Sequence, residues 1–266
     1  MGVIPTNNWL LDNDGDAQSI GEKLSPYFSG YDGVNILRYL QMHGLDRQLG
    51  KDNTIIEKLN KMKIWELVRS DVKKLKAKWN GPDIPIFIFP SDSYNKELRD
   101  NYNSKSGLSF RDKLFLFVSE KNTATEIKAL FTHEYNHVCR LHYDKKDEAD
   151  YILLDSIILE GLAENAVQER FGEAYTASWT SLYSDKQLEK IWNDIILPSY
   201  DLPKALRKHR DILYGMRFYP KMAGYCAGYY KVKQYLLKHT CDSKTLFKIP
   251  SEQIAGLFME NENRRK

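Results

Sequence analysis

Residues 131 to 140 read FTHEYNHVCR. His133 and His137 stand four apart, with Glu134 directly after the first, in a chain that holds six histidines in all. On a helix, such positions lie one turn apart along the axis and about 40° apart around it. Two imidazoles so placed can converge on one divalent ion. The Glu134 carboxylate lies beside them, close enough to reach a water on the metal without ligating the metal. That is the mechanical content of H-E-x-x-H: two neutral nitrogen ligands and a carboxylate base for a water.

The chemistry requires a helix under these residues, and the sequence supplies its start. Thr123 with Glu126 three later forms a capping box ahead of an apolar run, Ile127, Leu130 and Phe131. The spacing predicts a helix from near Thr123 through His137. A third ligand must come from elsewhere. His142 follows His133 by nine residues, which turns it about 180° away on a helix. The metzincin pattern would need glycine at 140 and histidine at 143, and the residues there are Arg140 and Tyr143. His142 therefore reads as a surface or core histidine.

A better candidate lies in DYILLDSIILEGLAENAVQERFG, an apolar-rich helical stretch with Gly172 as its C-terminal stop. Glu160 follows His137 by 23 residues, and Glu164 is one turn further on the same face. Leu159, Ala163 and Val167 accompany them and suggest burial. Two buried carboxylates side by side are costly unless a cation or a proton compensates. A metal accounts for the pair: Glu160 ligates, and Glu164 accepts a hydrogen bond from a ligand histidine's N–H. The alternative is two solvated acids on an exposed face.

The surrounding elements follow from periodicity. TIIEKLNKMKIWELVRSDVKKLKAKW, from Thr54, carries apolar residues at helical spacing with Lys and Glu opposite, and Gly81 and Pro82 end it. IPIFIFP (84 to 90) and KLFLFVS (113 to 119) read as short strands, joined by a polar, turn-rich loop. Beyond Val118 the chain reads as helices, with breaks near Gly172, Pro198 to Pro203, and Pro220. The order is helices, a small sheet, then helices: α+β, mainly α. We expect an N-terminal helical region over 1–80 and a catalytic region over 81–266, joined in one continuous domain.

With 266 residues, 42% of them hydrophobic, the chain can bury one sizeable core. A net charge of +3 gives no electrostatic case for a nucleic-acid or membrane partner. Cys139, Cys226 and Cys241 are too few and odd in number for a disulfide framework, and they suit a reducing, cytoplasmic setting. We expect no signal peptide and no membrane span. MGVIPT fits the short N-myristoylation pattern through Gly2 and Thr6, which matters only in a eukaryotic cell. Asp12, Asp14 and Asp16 imitate the start of an EF-hand loop. Ala17 at its sixth position, Ser19 at its eighth and Lys23 at its twelfth do not continue it.

The residues H133-E-Y-N-H137 followed by L159-E-G-L-A-E164 resemble the gluzincin metallopeptidases, whose third ligand is a glutamate on the helix after the histidine helix. Over roughly residues 60 to 240 the chain is similar to a bacterial family read as zinc-dependent proteases, the YjaZ-like family, catalogued as a domain of unknown function. The resemblance implies a zincin-like fold: a small sheet, the histidine helix, a Glu-ligand helix and a helical C-terminal region. It implies one Zn²⁺ held by His133, His137 and Glu160, with Glu134 as general base. Peptide bonds would be hydrolysed by a metal-activated water, and the partner would be a peptide or protein substrate.

The aminopeptidase branch of the gluzincins also carries a tyrosine in a Y-x-K-G motif that stabilises the oxyanion. Tyr225, with Gly228 three later, matches it, although Ala227 stands where that motif has lysine. The branch's G-x-M-E-N segment, which binds a substrate's free amine, is absent. An endopeptidase or amidase therefore fits better than an aminopeptidase. The strand KLFLFVS could pair with an extended peptide. A catalytically silent metal-binding or protein-interaction scaffold on the same frame stays open as the alternative.

Overall fold

A computed structural model describes residues 2–12, 16–49, 53–144 and 146–257. The chain is mainly helical with one small sheet, and it divides into two compact units, Met1–Val138 and Cys139–Lys266. The division falls inside a single continuous helix, Ala124–Tyr143.

The first unit opens with α1 (Thr6–Leu11), α2 (Ala17–Leu24), α3 (Gly33–Met42), α4 (Thr54–Lys61) and α5 (Ile64–Trp79). Side-chain caps start two of them. Asp16 accepts the Ser19 N–H at 2.8 Å to cap α2, and Asp32 caps α3 through the Asn35 N–H at 2.8 Å. Asp16 thus serves a helix, not an ion; Asp14 lies outside the described residues. The periodic stretch from Thr54 is two helices, because Lys63 adopts a left-handed conformation (φ 56°) between them.

The strands are β1 (Ile86–Pro90), β2 (Ser106–Ser109) and β3 (Leu114–Val118), in the spatial order β1-β3-β2. β1 pairs parallel with β3, Phe87 opposite Phe115 and Phe89 opposite Phe117. These four rings join the core formed with Leu10, Ile20, Leu24, Ile36 and Leu40 of the N-terminal helices. Ile86, Ile88, Leu114 and Leu116 are also buried, so both faces of the sheet are covered. That is why the two runs are continuously apolar.

Two expectations need correction here. The segment read as a loop contains α6 (Lys96–Tyr102) and strand β2. And β3, proposed as the strand to which a peptide adds, is the central strand. Its backbone groups are taken on one side by β1 and on the other by β2.

The sheet leads into α7 (Ala124–Tyr143). The second unit continues with α8 (Leu153–Phe171), α9 (Asp185–Ile191), α10 (Arg207–Tyr214), α11 (Ala223–Lys238), α12 (Ser243–Leu246) and α13 (Ser251–Ala255). Helices α8 and α11 form its centre and cross at two glycines. A Cβ on Gly161 would meet the Gly228 carbonyl oxygen at 2.3 Å, and one on Gly228 would meet the Ile157 carbonyl oxygen at 2.0 Å. Asn165 bridges the crossing, donating to the Gly161 oxygen at 2.8 Å and the Tyr229 oxygen at 3.1 Å. Both obstructing atoms are backbone, so neither can step aside. Gly228→Ala is expected to cost about 3 kcal/mol of stability, read as a lower urea midpoint at unchanged slope.

Arg140, buried in the last turns of α7, donates through Nη1 to the carbonyls of Phe247 (2.9 Å) and Ile249 (2.8 Å). It ties that end of the helix to the segment before α13. Among the described residues, no helix is long and apolar enough to cross a membrane, and none of the three cysteines forms a disulfide.

Candidate metal centre

Helix α7 begins as its capping box predicts. The Glu126 carboxylate accepts the Thr123 N–H at 2.8 Å, and Thr123 Oγ1 accepts the Glu126 N–H at 3.2 Å. The helix runs through His137 as expected and on to Tyr143, and from Phe131 to Leu141 every residue but His133 is buried. Tyr135 anchors it in the first unit: its ring stacks on Trp79 at 6.1 Å and its hydroxyl donates to the Pro82 carbonyl at 2.9 Å. His142 is exposed, as its helical phase requires.

The two motif histidines face each other edge to plane, their Nε2 atoms 3.0 Å apart. Two nitrogens on one tetrahedral zinc, each at about 2.0–2.1 Å, stand roughly 3.3 Å from each other. The observed spacing is close to that. One ligand atom each from His133, His137 and Glu160 lie within 4.8 Å of one another. The donor set of two imidazole nitrogens and a carboxylate oxygen is that of a catalytic zinc with three protein ligands and an open fourth position.

Glu134 is buried (7% exposed) and held by β2. Ser109 Oγ lies 2.6 Å from Glu134 Oε2 and 2.9 Å from the Glu134 carbonyl oxygen, and its single proton serves one at a time. Gly107 makes room for the same side chain: a Cβ there would stand 2.3 Å from Glu134 Cγ and 2.4 Å from Oε1. Neither Gly107 nor Ser109 carried a signal in the sequence. Gly107→Ala is expected to leave the fold intact, because a side-chain end can shift, but to displace the carboxylate. A kcat loss of ~10²-fold with unchanged zinc content is the expected readout.

In the second unit, Glu160 and Glu164 share a face of α8, with Glu164 buried and Glu160 partly so. Glu164 Oε1 accepts the Ala177 N–H at 2.5 Å. Tyr225, in the first turn of α11, has both the Glu160 carboxylate and the Tyr214 hydroxyl, at the end of α10, within hydrogen-bond reach, and its single hydroxyl proton serves one of them at a time. Burial, then the Glu160 charge, push the Tyr225 phenol well above its usual range. It stays a proton donor at neutral pH. Tyr214 carries no signal of its own in the sequence; its contact with Tyr225 depends on how α10 meets α11.

A family model described as "Predicted Zn-dependent protease (DUF2268)" matches residues 64–256. The chain belongs to this family. The match starts where α5 starts and takes in the histidine helix, Glu160 and Tyr225. The uncharacterized protein YjaZ of Bacillus subtilis (strain 168) is 39% identical over 255 residues, 95% of this chain and 97% of that protein. A second protein of that organism, the uncharacterized YjfC, is 22% identical over 192 residues, 67% of this chain and 63% of its own length. No solved structure gives a significant match.

Proposed function

We propose that the chain is a zinc-dependent peptidase in which His133, His137 and Glu160 hold one zinc ion and Glu134 is the general base. The observation that carries this reading is the gathering of three ligand atoms within 4.8 Å, with Glu134 adjacent to the first in the same helix. When bound, zinc supplies a Lewis acid for a carbonyl oxygen and brings the pKa of a water to about 7.

Glu134 takes a proton at Oε1, since Ser109 engages Oε2, from the water whose oxygen bonds to the scissile carbonyl carbon. It then passes that proton to the amine that leaves as the C–N bond breaks. With substrate bound, the Tyr225 hydroxyl turns from the Glu160 carboxylate to the substrate carbonyl oxygen and donates to it as negative charge builds there, a contribution of about 3 kcal/mol for one such donor. Tyr214 holds that phenol in place through their shared hydrogen bond. Glu164 accepts from a ligand histidine's N–H at Oε2, its other oxygen being engaged by Ala177.

The edge strand β2, which contributes Ser109, is the strand to which an extended peptide adds, through main-chain hydrogen bonds on the side away from β3. With no G-x-M-E-N segment to bind a free amine, internal peptide bonds or amides are the better substrates.

The test is cleavage of an N-terminally blocked peptide library by the purified protein. Cleavage should stop with a zinc chelator and return with stoichiometric zinc. Cleavage indifferent to chelation removes the metal from the account, and cleavage of unblocked peptides alone makes the protein an aminopeptidase.

A further inference from the structure

Between α10 and α11 the chain makes a tightly wound loop, Gly215 to Met222. The Met222 N–H donates to the Tyr214 carbonyl at 2.9 Å and closes it, while the Met216 N–H donates to the Asp211 carbonyl at 2.7 Å. Gly215 sits at φ 67°, and a Cβ there would come within 1.9 Å of the Pro220 oxygen. Asp211, buried beneath, lies 3.5 Å from Arg217 Nε through Oδ2. These contacts hold the loop's two ends together at its base. The tip is Phe218, 101% exposed, beside Met216 at 43%. With Met216 two residues away, the loop carries two apolar side chains into water together, and apolar groups grouped in this way suit an interaction surface.

The charge around it is equally uneven. Residues 204–221 contain six lysines and arginines and one acid, Asp211, a local excess of +5 in a chain whose net charge is +3. The mild overall charge hides this segment. Lys208, Arg210, Arg217 and Lys221 are exposed.

We propose that this loop docks the protein on an anionic lipid surface, with Phe218 and Met216 entering the interface and the segment's positive charge drawing it to the headgroups. An exposed apolar tip in a strongly basic segment suits a soft, negatively charged boundary, where aromatic rings settle at headgroup depth. A protein partner would need a cavity matched to the tip. Each cation near such a surface strengthens binding about fivefold. No spanning helix is needed for this mode.

The experiment is co-sedimentation of the full chain with phosphatidylcholine vesicles, with and without phosphatidylglycerol. Binding is expected only with phosphatidylglycerol. Phe218→Ala should weaken it about tenfold, and Arg210→Glu at least fivefold. Both positions are exposed, so the variants fold. Failure to sediment overturns the proposal. So does binding that survives Phe218→Ala unchanged, which would be charge attraction alone, or Phe218-dependent binding to single-stranded RNA without any to vesicles.

Discussion

Glu134→Gln is expected to keep zinc and lower kcat by about 10²–10⁴-fold. The amide matches the carboxylate in shape, so it fits against Gly107 and can still accept from Ser109, and the residue is not a ligand. What it loses is the capacity to take a proton. A rate measurement paired with metal analysis on the same preparation checks this. Turnover near that of the wild type would show that the proton goes elsewhere. The companion Gly107→Ala tests the same atom by position instead of basicity, and the two should share a phenotype: zinc retained, kcat lost.

Glu160→Ala is expected to weaken zinc binding by more than about 100-fold, because losing a ligand exceeds the ~10–100-fold typical of losing a partner behind one. Glu164→Gln belongs to that smaller class. The contrast separates two carboxylates on one helix face. Glu160 has the Tyr225 hydroxyl within hydrogen-bond reach, whereas Glu164 Oε1 is committed to the Ala177 N–H. Competition against a fluorescent chelator measures both. A larger loss from Glu164→Gln than from Glu160→Ala would exchange their roles.

How much of this was legible depends on the range of the interaction concerned. His133, Glu134 and His137 are readable because their relation is internal to one helix, and Thr123 with Glu126 marks its start within four residues. Strands β1 and β3 are readable because burial on both faces leaves a continuous apolar run. Strand β2 is not: Ser106, Gly107 and Ser109 have no strand character of their own. The segment is a strand because Leu108 and Ser106 find Phe115 and Phe117 across the ladder. The order of the sheet was equally hidden, and with it the fact that β3 is central and β2 is the edge. Ser109 reaches Glu134 over 25 residues of chain, and Gly161 reaches Gly228 over 67. Such contacts exist only once the elements pack. Glu160 stands between these cases. Its helix and its buried face were visible in the sequence, but its meeting with the histidines is a tertiary fact.

The central claim is that His133, His137 and Glu160 hold a single metal ion, and elemental mass spectrometry of the natively purified chain tests it most directly. The account predicts one zinc per chain, retained through gel filtration. Protein that is folded and carries no stoichiometric zinc would contradict it.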